Sequence, residues 1–303
     1  MREPTRQLVL QAVRTLGYRA NPYARNLRAT QSRIIAVYFS NPSRNYTSEI
    51  QIGVLQRCNA EGFNAIFEQA GAGPEGLVSL RGEPDLAGVI LVAPLTEDPA
   101  LLRRLSDAGI PFVRLAPVDA AGETGHVSMD DEAAAAEMTD YLISLGHSRI
   151  GFIAGPDDHP QARLREAGYR AALARTGLGP KAALMAQGSF HFDSGLRAAE
   201  TLLAQDSPPT AIFASNDDMA AAVLAVAYRK GLRIPQDLSV AGFDDTPLAS
   251  VVVPSLTTIY QPIREMAAQA AGMLFGKADP DAPASSVLPH RLVVRESTAA
   301  PKR

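Results

Sequence analysis

Residues 211–262 read AIFASNDDMAAAVLAVAYRKGLRIPQDLSVAGFDDTPLASVVVPSLTTIYQP. Two apolar runs, AIFAS at 211–215 and LSVAGF at 238–243, each end in a polar cluster, Asn216-Asp217-Asp218 and Asp244-Asp245-Thr246. Apolar runs of this length, bounded by turn residues, read as strands buried on both faces of a parallel sheet. Between them residues 217–230 have the length of a helix, closed by Gly231. In an open parallel sheet a ligand binds beyond the carboxyl ends of the strands, which is where Asn216 and Asp244 fall. Asp217 is expected as a helix N-cap, and Asp245 as a partner of turn amides.

The same alternation extends outward. Strands are expected at 34–39, 63–68, 88–93 and 111–115, with helices at 48–61 and 99–108. After VSM at 127–129 come a helix at 131–145, a strand at 149–155, a helix at 162–176, a strand at 182–187 and a helix at 193–204. Strand–helix alternation implies parallel sheets joined by right-handed crossovers. A chain of 303 residues exceeds one compact domain, and the pattern supplies strands for two sheets. The expected fold is therefore α/β, two doubly wound parallel-sheet lobes behind a short helical N-terminal arm. The expected division is 1–33 for the arm, 34–129 plus 260–290 for the first lobe, and 130–259 plus 291–303 for the second. Residues 257–261 are read as a segment crossing back to the first lobe.

With 46% apolar and 20% charged residues the composition is that of an ordinary globular protein. The single cysteine, Cys58, excludes an internal disulfide framework and a cysteine-rich metal site, and reads as a small buried hydrophobe. MREPTRQLVL lacks a secretory h-region, and the apolar run at 219–228 is too short to span a bilayer, so a cytoplasmic protein without membrane contact is expected. Up to Arg33 there are seven arginines against the single acid Glu3, on a chain whose net charge is −3. Such an arm suits a polyanion, or is simply a solvated helix. Residues 5–16 carry an amphipathic stripe between Thr5 and Gly17. Asn21 and Pro22 then open a second helix, too short to stand alone.

Enzymatic signatures are lacking. The histidines at 126, 147, 159, 191 and 290 show no metal-ligand spacing, and neither a GxSxG elbow nor a phosphate-binding GxxxxGK[ST] loop is present. Gly71-Ala72-Gly73 does not continue into a dinucleotide fingerprint. Asp244 and Asp245 are adjacent, so their side chains diverge rather than flank one bond. His147, behind Gly146, reads as a charge or cap at a helix end. No metal, no cofactor and no catalysis are expected.

Eight segments, in order, resemble the lactose/galactose-repressor family of bacterial transcription regulators: TRQLVLQAVRTLGYRANPYARNLRATQS, SEIQIGVLQRCNAEGFNAIF, DYLISLGHSRIGFIAGP, ARLREAGYRAAL, SNDDMA, DLSVAGFDDT, PSLTTIYQP and LPHRLVVREST. The resemblance implies a periplasmic-binding-protein-like fold of type I and an effector-responsive regulator, most simply a repressor, that holds a small molecule between its lobes and works as a homodimer. It places Arg165, Asn216 and Asp244 on the effector, with Tyr46 and Phe190 as stacking aromatics, Gln261 in the crossing segment as a further contact, and His159 and Gln161 on the loop before helix 162–176. Those residue types suit a sugar: Arg165 offers a rigid fork of donors, Asp244 accepts two hydroxyl protons, and Asn216 does both. On helical position alone, Arg165 could equally pair with a surface acid.

For the arm, the resemblance assigns Tyr23, Ala24, Leu27 and Arg28 to the minor groove of operator DNA, where an apolar wedge kinks the duplex and arginines neutralise phosphates. Leu27 could instead pack in a dimer-facing hinge pair. Three departures stand out. The first two helices of the family's headpiece are not represented, residues 71–86 are short and rich in Gly and Pro, and Ala116 replaces a polar contact. The alternatives are a sugar-binding protein of an importer, and a ligand sensor without DNA binding of its own.

Overall fold

Residues 5–7, 15, 33–70, 86–118, 125–179, 184–275 and 285–302 are described by a computed structural model. The hinge residues Tyr23, Ala24, Leu27 and Arg28, and nearly all of the stretch 71–86, lie outside them. Two parallel sheets carry the fold. The first contains β1 (Ile34–Phe39), β2 (Asn64–Gln69), β3 (Gly88–Val92), β4 (Phe112–Leu115), β5 (His126–Ser128) and β11 (Ser285–Val287), in the order β11-β5-β4-β3-β1-β2. The second contains β6 (Ile150–Ala154), β7 (Met185–Gln187), β8 (Ala211–Ala214) and β9 (Ser239–Ala241), in the order β7-β6-β8-β9. β10 (Thr258–Tyr260) and β12 (Arg291–Val293) form an antiparallel ribbon.

Both sheets are doubly wound in the same way. Each starts in its interior, steps one way for its second strand and then reverses, so the order changes direction between β1 and β3 and again between β6 and β8. Strands β3, β6 and β8 are buried at every residue, which their unbroken apolar sequences require. The helices α1 (Arg44–Glu61), α2 (Pro99–Asp107), α3 (Asp131–Ser144), α4 (Pro160–Arg175), α5 (Phe192–Leu203), α6 (Asp217–Arg229), α7 (Pro247–Val251) and α8 (Ile263–Met273) cover them.

Capping fixes the helix starts. Ser43 accepts the Tyr46 N–H and starts α1 four residues earlier than the sequence suggests, placing Tyr46 in its first turn rather than on a loop. Asp98 and Asp130 cap α2 and α3. For α6 the cap is Asn216, which accepts the Met219 N–H, and not Asp217 as expected. Asp217 is the first helical residue and is buried. Its carboxylate accepts from Thr246 N at 2.8 Å, Thr246 Oγ1 at 3.1 Å and Thr258 Oγ1 at 2.7 Å.

Elements not foreseen include α7, α8 and β11, and the crossing segment forms the strand β10. α8 packs along α1, where Gly53 lets the Arg264 backbone approach so closely that a Cβ would fall on its carbonyl. His147 also differs from expectation. It is 2% exposed and bonds Thr210 Oγ1 at 2.8 Å, Ser239 Oγ at 3.2 Å and the Ala299 carbonyl at 2.9 Å, tying the C-terminal segment to the second sheet. Burial lowers its pKa, so the ring is a neutral clamp and not a helix-end charge. Cys58 is buried as expected, its thiol pushed up to about 11 by burial.

Candidate functional site

An open α/β sheet leaves a crevice at the point where its strand order reverses, outside the carboxyl ends of the strands. Here the two reversal points face each other. From the first sheet come Asn41 and Ser43 after β1, Tyr46 in α1 and Ala93 after β3. From the second come His159 and Gln161 after β6, Arg165 in α4, Phe190 after β7, Asn216 after β8 and Asp244 after β9. Together these ten residues line a narrow cleft between the lobes, with an open volume of about 10 Å³.

Arg165 organises the floor. Its Nε donates to Asp131 Oδ1 at 2.8 Å, Nη1 to the Ser215 carbonyl at 2.7 Å and to Asp244 Oδ1 at 3.3 Å, and Nη2 to Gln261 Oε1 at 3.2 Å. The guanidinium carbon lies 3.7 Å from the centroid of the Phe243 ring. Arg165 is 4% exposed, so the surface-pair reading does not hold. Burial pushes the Asp131 and Asp244 carboxyls up, opposed by the guanidinium between them. Asp131, which reading the sequence missed, is the partner that fixes the plane of the fork. Its place in the first turn of α3 gives no hint of this in a linear pattern.

Seven of the eight expected residues are brought to the cleft, namely Tyr46, His159, Gln161, Arg165, Phe190, Asn216 and Asp244. Gln261 stands behind it, supporting Arg165. Asn216 does double service: Oδ1 caps α6 and Nδ2 donates to the Phe190 carbonyl at 3.0 Å. Asp245 turns away to pair with Arg295 at 2.6 Å rather than with turn amides, so the adjacent carboxylates do diverge. Tyr46 is buried, and desolvation together with the Asp244 charge drives its phenol well above the ordinary value, so it stays a neutral donor. Gln161 donates Nε2 to the Ala116 carbonyl, while its buried Oε1 lacks a protein partner.

Backbone strain concentrates here. The non-glycine residues with left-handed φ among the described residues are Ala116 (57°), Phe190 (60°), Asp244 (109°) and Asp245 (53°). Two of them line the cleft, Asp245 follows Asp244, and Ala116 holds Gln161. Each such residue costs on the order of 1–3 kcal/mol, and strain of this kind collects at binding sites. Gly155 completes the seat of Phe190, since a Cβ there would run into the ring.

His159 is 4% exposed, packs edge-on against Phe190 and faces Asn41 Nδ2 at 3.5 Å. Burial, with the charges of Arg165 and Arg163, lowers its pKa to about 3. The unfolded chain therefore takes up a proton near pH 6.5 that the folded protein refuses, and stability is lost as pH falls from about 6.5 toward 3. By pH 4.5 the loss amounts to roughly 2–3 kcal/mol. Asp217, raised by burial to about 7, acts in the opposite direction over the same range, because the folded protein binds its proton first. Urea titrations of wild type and His159→Gln at pH 7.5 and 4.5 separate the two. The variant is expected to gain on wild type at the lower pH, and parallel behaviour would show that the imidazole charges freely in the fold.

Two matching α/β lobes with a polar cleft between their reversal points define a two-lobe small-molecule-binding protein. Residues 139–298 match the periplasmic binding protein-like domain family. The chain is 31% identical over 301 residues to catabolite control protein A of Priestia megaterium, covering 97% of this chain and 90% of that protein. Among solved structures it resembles a complex of the transcriptional regulator CelR with cellobiose, at 30% identity and a TM-score of 0.79, covering 98% and 91% of the two chains. It also resembles the lac repressor dimer bound to operator and an anti-inducer, at 28% identity and a TM-score of 0.84, covering 98% and 90%. The chain belongs to the lactose/galactose-repressor (LacI) family of transcriptional regulators. Among the described residues no cluster of ligating side chains suits a metal, and no helix is long and apolar enough to cross a membrane.

Proposed function

We propose that this protein is a cytoplasmic repressor, without enzymatic activity, whose operator affinity is set by a sugar held between its lobes. The observation that carries this reading is the convergence of the buried Arg165 fork, Asp244, Asn216, Gln161 and the aromatic rings of Tyr46 and Phe190 on one cleft between the lobes. Arginine and carboxylate edges grip hydroxyl pairs, and an aromatic face covers the apolar side of a sugar ring. Gln261 shapes the site through Arg165. The cellobiose complex of a related regulator supports a sugar as effector. The lobes are 34–129 plus 260–290 and 130–259 plus 291–303, behind the arm 1–33, whose residues Tyr23, Ala24, Leu27 and Arg28 would meet operator DNA. Ligand then acts by linkage: it favours one lobe arrangement, and the arm reports it.

A thermal-shift panel of sugars, sugar phosphates, nucleobases and amino acids, with D-ribose and cellobiose included, tests the chemistry. A ligand at a hundred times its Kd adds about 2.7 kcal/mol of stability. A response to sugars that also changes operator affinity is the expected result, and a response to nucleobases alone would overturn the sugar reading.

A homodimer belongs to the same proposal. Tyr228 at the end of α6, Val251 in α7 and Val253 just beyond it are 85%, 72% and 90% exposed, and α6 packs against α7. Large apolar side chains exposed on adjoining elements point to an association face. Val253→Asp is expected to convert a dimer to a monomer in sedimentation velocity while leaving the melting of the lobes intact. An unchanged sedimentation coefficient would move the interface elsewhere.

A further inference from the structure

We propose that Asp218 is a positioning residue that latches the two lobes at the rim of the cleft and sets how far the empty site closes, an inference that rests on the effector-cleft reading above. Asp218 lies in the first turn of α6, on the second lobe. Its Oδ2 accepts from Ser43 Oγ at 2.6 Å and its Oδ1 from Asn45 Nδ2 at 2.6 Å, both at the start of α1 on the first lobe. One carboxylate thus spends both oxygens on bonds that exist only while the lobes are together. Neither Asp218 nor Asn45 lines the cleft.

The geometry explains why a carboxylate is needed. α1 follows β1 and α6 follows β8, strands that flank the reversal points of their sheets, so closing the lobes brings two helix N-termini toward each other. Each carries a partial positive charge, and two such ends repel. An anion between them is favoured by both, and short bonds to a charged acceptor are about twice as strong as neutral ones. Ser43 completes the link, since its Oγ donates to Asp218 while accepting the Tyr46 N–H at 3.2 Å. The latch is thereby coupled to the helical turn that presents Tyr46 to the cleft. Other side-chain contacts also join the lobes, among them Gln161 to the Ala116 carbonyl, Asn41 to His159, Arg165 to Gln261 and His290 to Glu137, but none of these four joins the N-termini of α1 and α6. The free energy of the latch enters the open–closed equilibrium whether or not ligand is present.

The test needs no effector. Cysteines at Arg103 on α2 and Asp193 on α5, both exposed and on opposite lobes, carry spin labels in the full chain, while buried Cys58 stays unlabelled. Wild type is expected to give one short inter-lobe distance. Asn45→Asp sets a second carboxylate against Asp218 and is tolerated locally, because an acid in the first turn of α1 suits the helix dipole. It is expected to lengthen the distance by several ångström. The swap Asn45→Asp with Asp218→Asn restores a carboxylate–amide pair and is expected to return the short distance. An unchanged distance in Asn45→Asp, or an open swap, would overturn the latch. Opening and rescue in a protein that no sugar stabilises would leave the latch standing and overturn the effector reading instead.

Discussion

Arg165→Ala is expected to abolish the sugar-induced thermal shift and to lower unfolding stability by about 3–5 kcal/mol, the usual cost of removing one partner from a buried ion pair. The size follows from what is stranded: the carboxylates of Asp131 and Asp244, the Ser215 carbonyl and Gln261 Oε1, all held by this one side chain. Arg165→Lys keeps the charge but lacks the planar fork, which serves three directions at once, so it recovers only part of the stability and little of the binding. Urea unfolding gives the first quantity and calorimetry with the sugar identified by the panel gives the second. Near-native stability in the alanine variant would mean that Asp131 and Asp244 find other partners, and the account of the floor would fail.

Gly168→Ala is the second large effect, and helix propensity alone gets its sign wrong. Alanine is the better helix former by about 1 kcal/mol. Gly168 lies in α4 where it crosses the start of α3, and an added Cβ would fall on the Glu132 carbonyl oxygen and crowd Ala135 and Ala136. Backbone cannot swing aside as a long side chain can, so the helices must part. Overpacking of this kind costs about 1–3 kcal/mol beyond any propensity gain. Parting α3 from α4 also draws Asp131 from Arg165, one turn earlier on the same helix. Thermal melting should therefore fall together with sugar affinity. A variant that melts higher than wild type would show that the crossing has slack.

The contrast between those residues bears on what the sequence could tell. Most strands were legible because short apolar runs such as IIAVYF and GVILV, bounded by turn residues, read as buried strands, and the turn residues after them mark the binding edge. Asn216 and Asp244 were therefore placed from their position in the chain, and the family resemblance supplied Tyr46, Arg165 and Phe190. Asn41 and Ser43 were missed because their partners, His159 and Asp218, lie on the other lobe, and Asp131 because its pairing with Arg165 depends on how α3 packs against α4. Asp217 and Asn216 exchanged roles because a cap depends on backbone angles that two adjacent polar residues satisfy equally well on paper. α8 was a different kind of miss: Ile263, Met266, Ala267, Ala270 and Ala271 keep helical spacing and are all buried, so its pattern was there to be read. The short β11 carries two serines and a valine, which no periodicity could distinguish from a loop.

The chain passes between the lobes three times: after β5 on the way to α3, after β10 on the way to α8, and between β11 and β12. A single connection would leave one lobe free to swivel in any sense about the other. Three side by side act like the pins of a door hinge, stiff to shear and to torsion yet compliant to bending about one axis. Whatever occupies the cleft is thereby translated into one number, an opening angle, irrespective of the occupant's own shape. Ligands of different size could be told apart only as greater or lesser degrees of the same rotation, and the arginine-rich segment, attached in sequence to β1, would receive an analogue signal along a single coordinate.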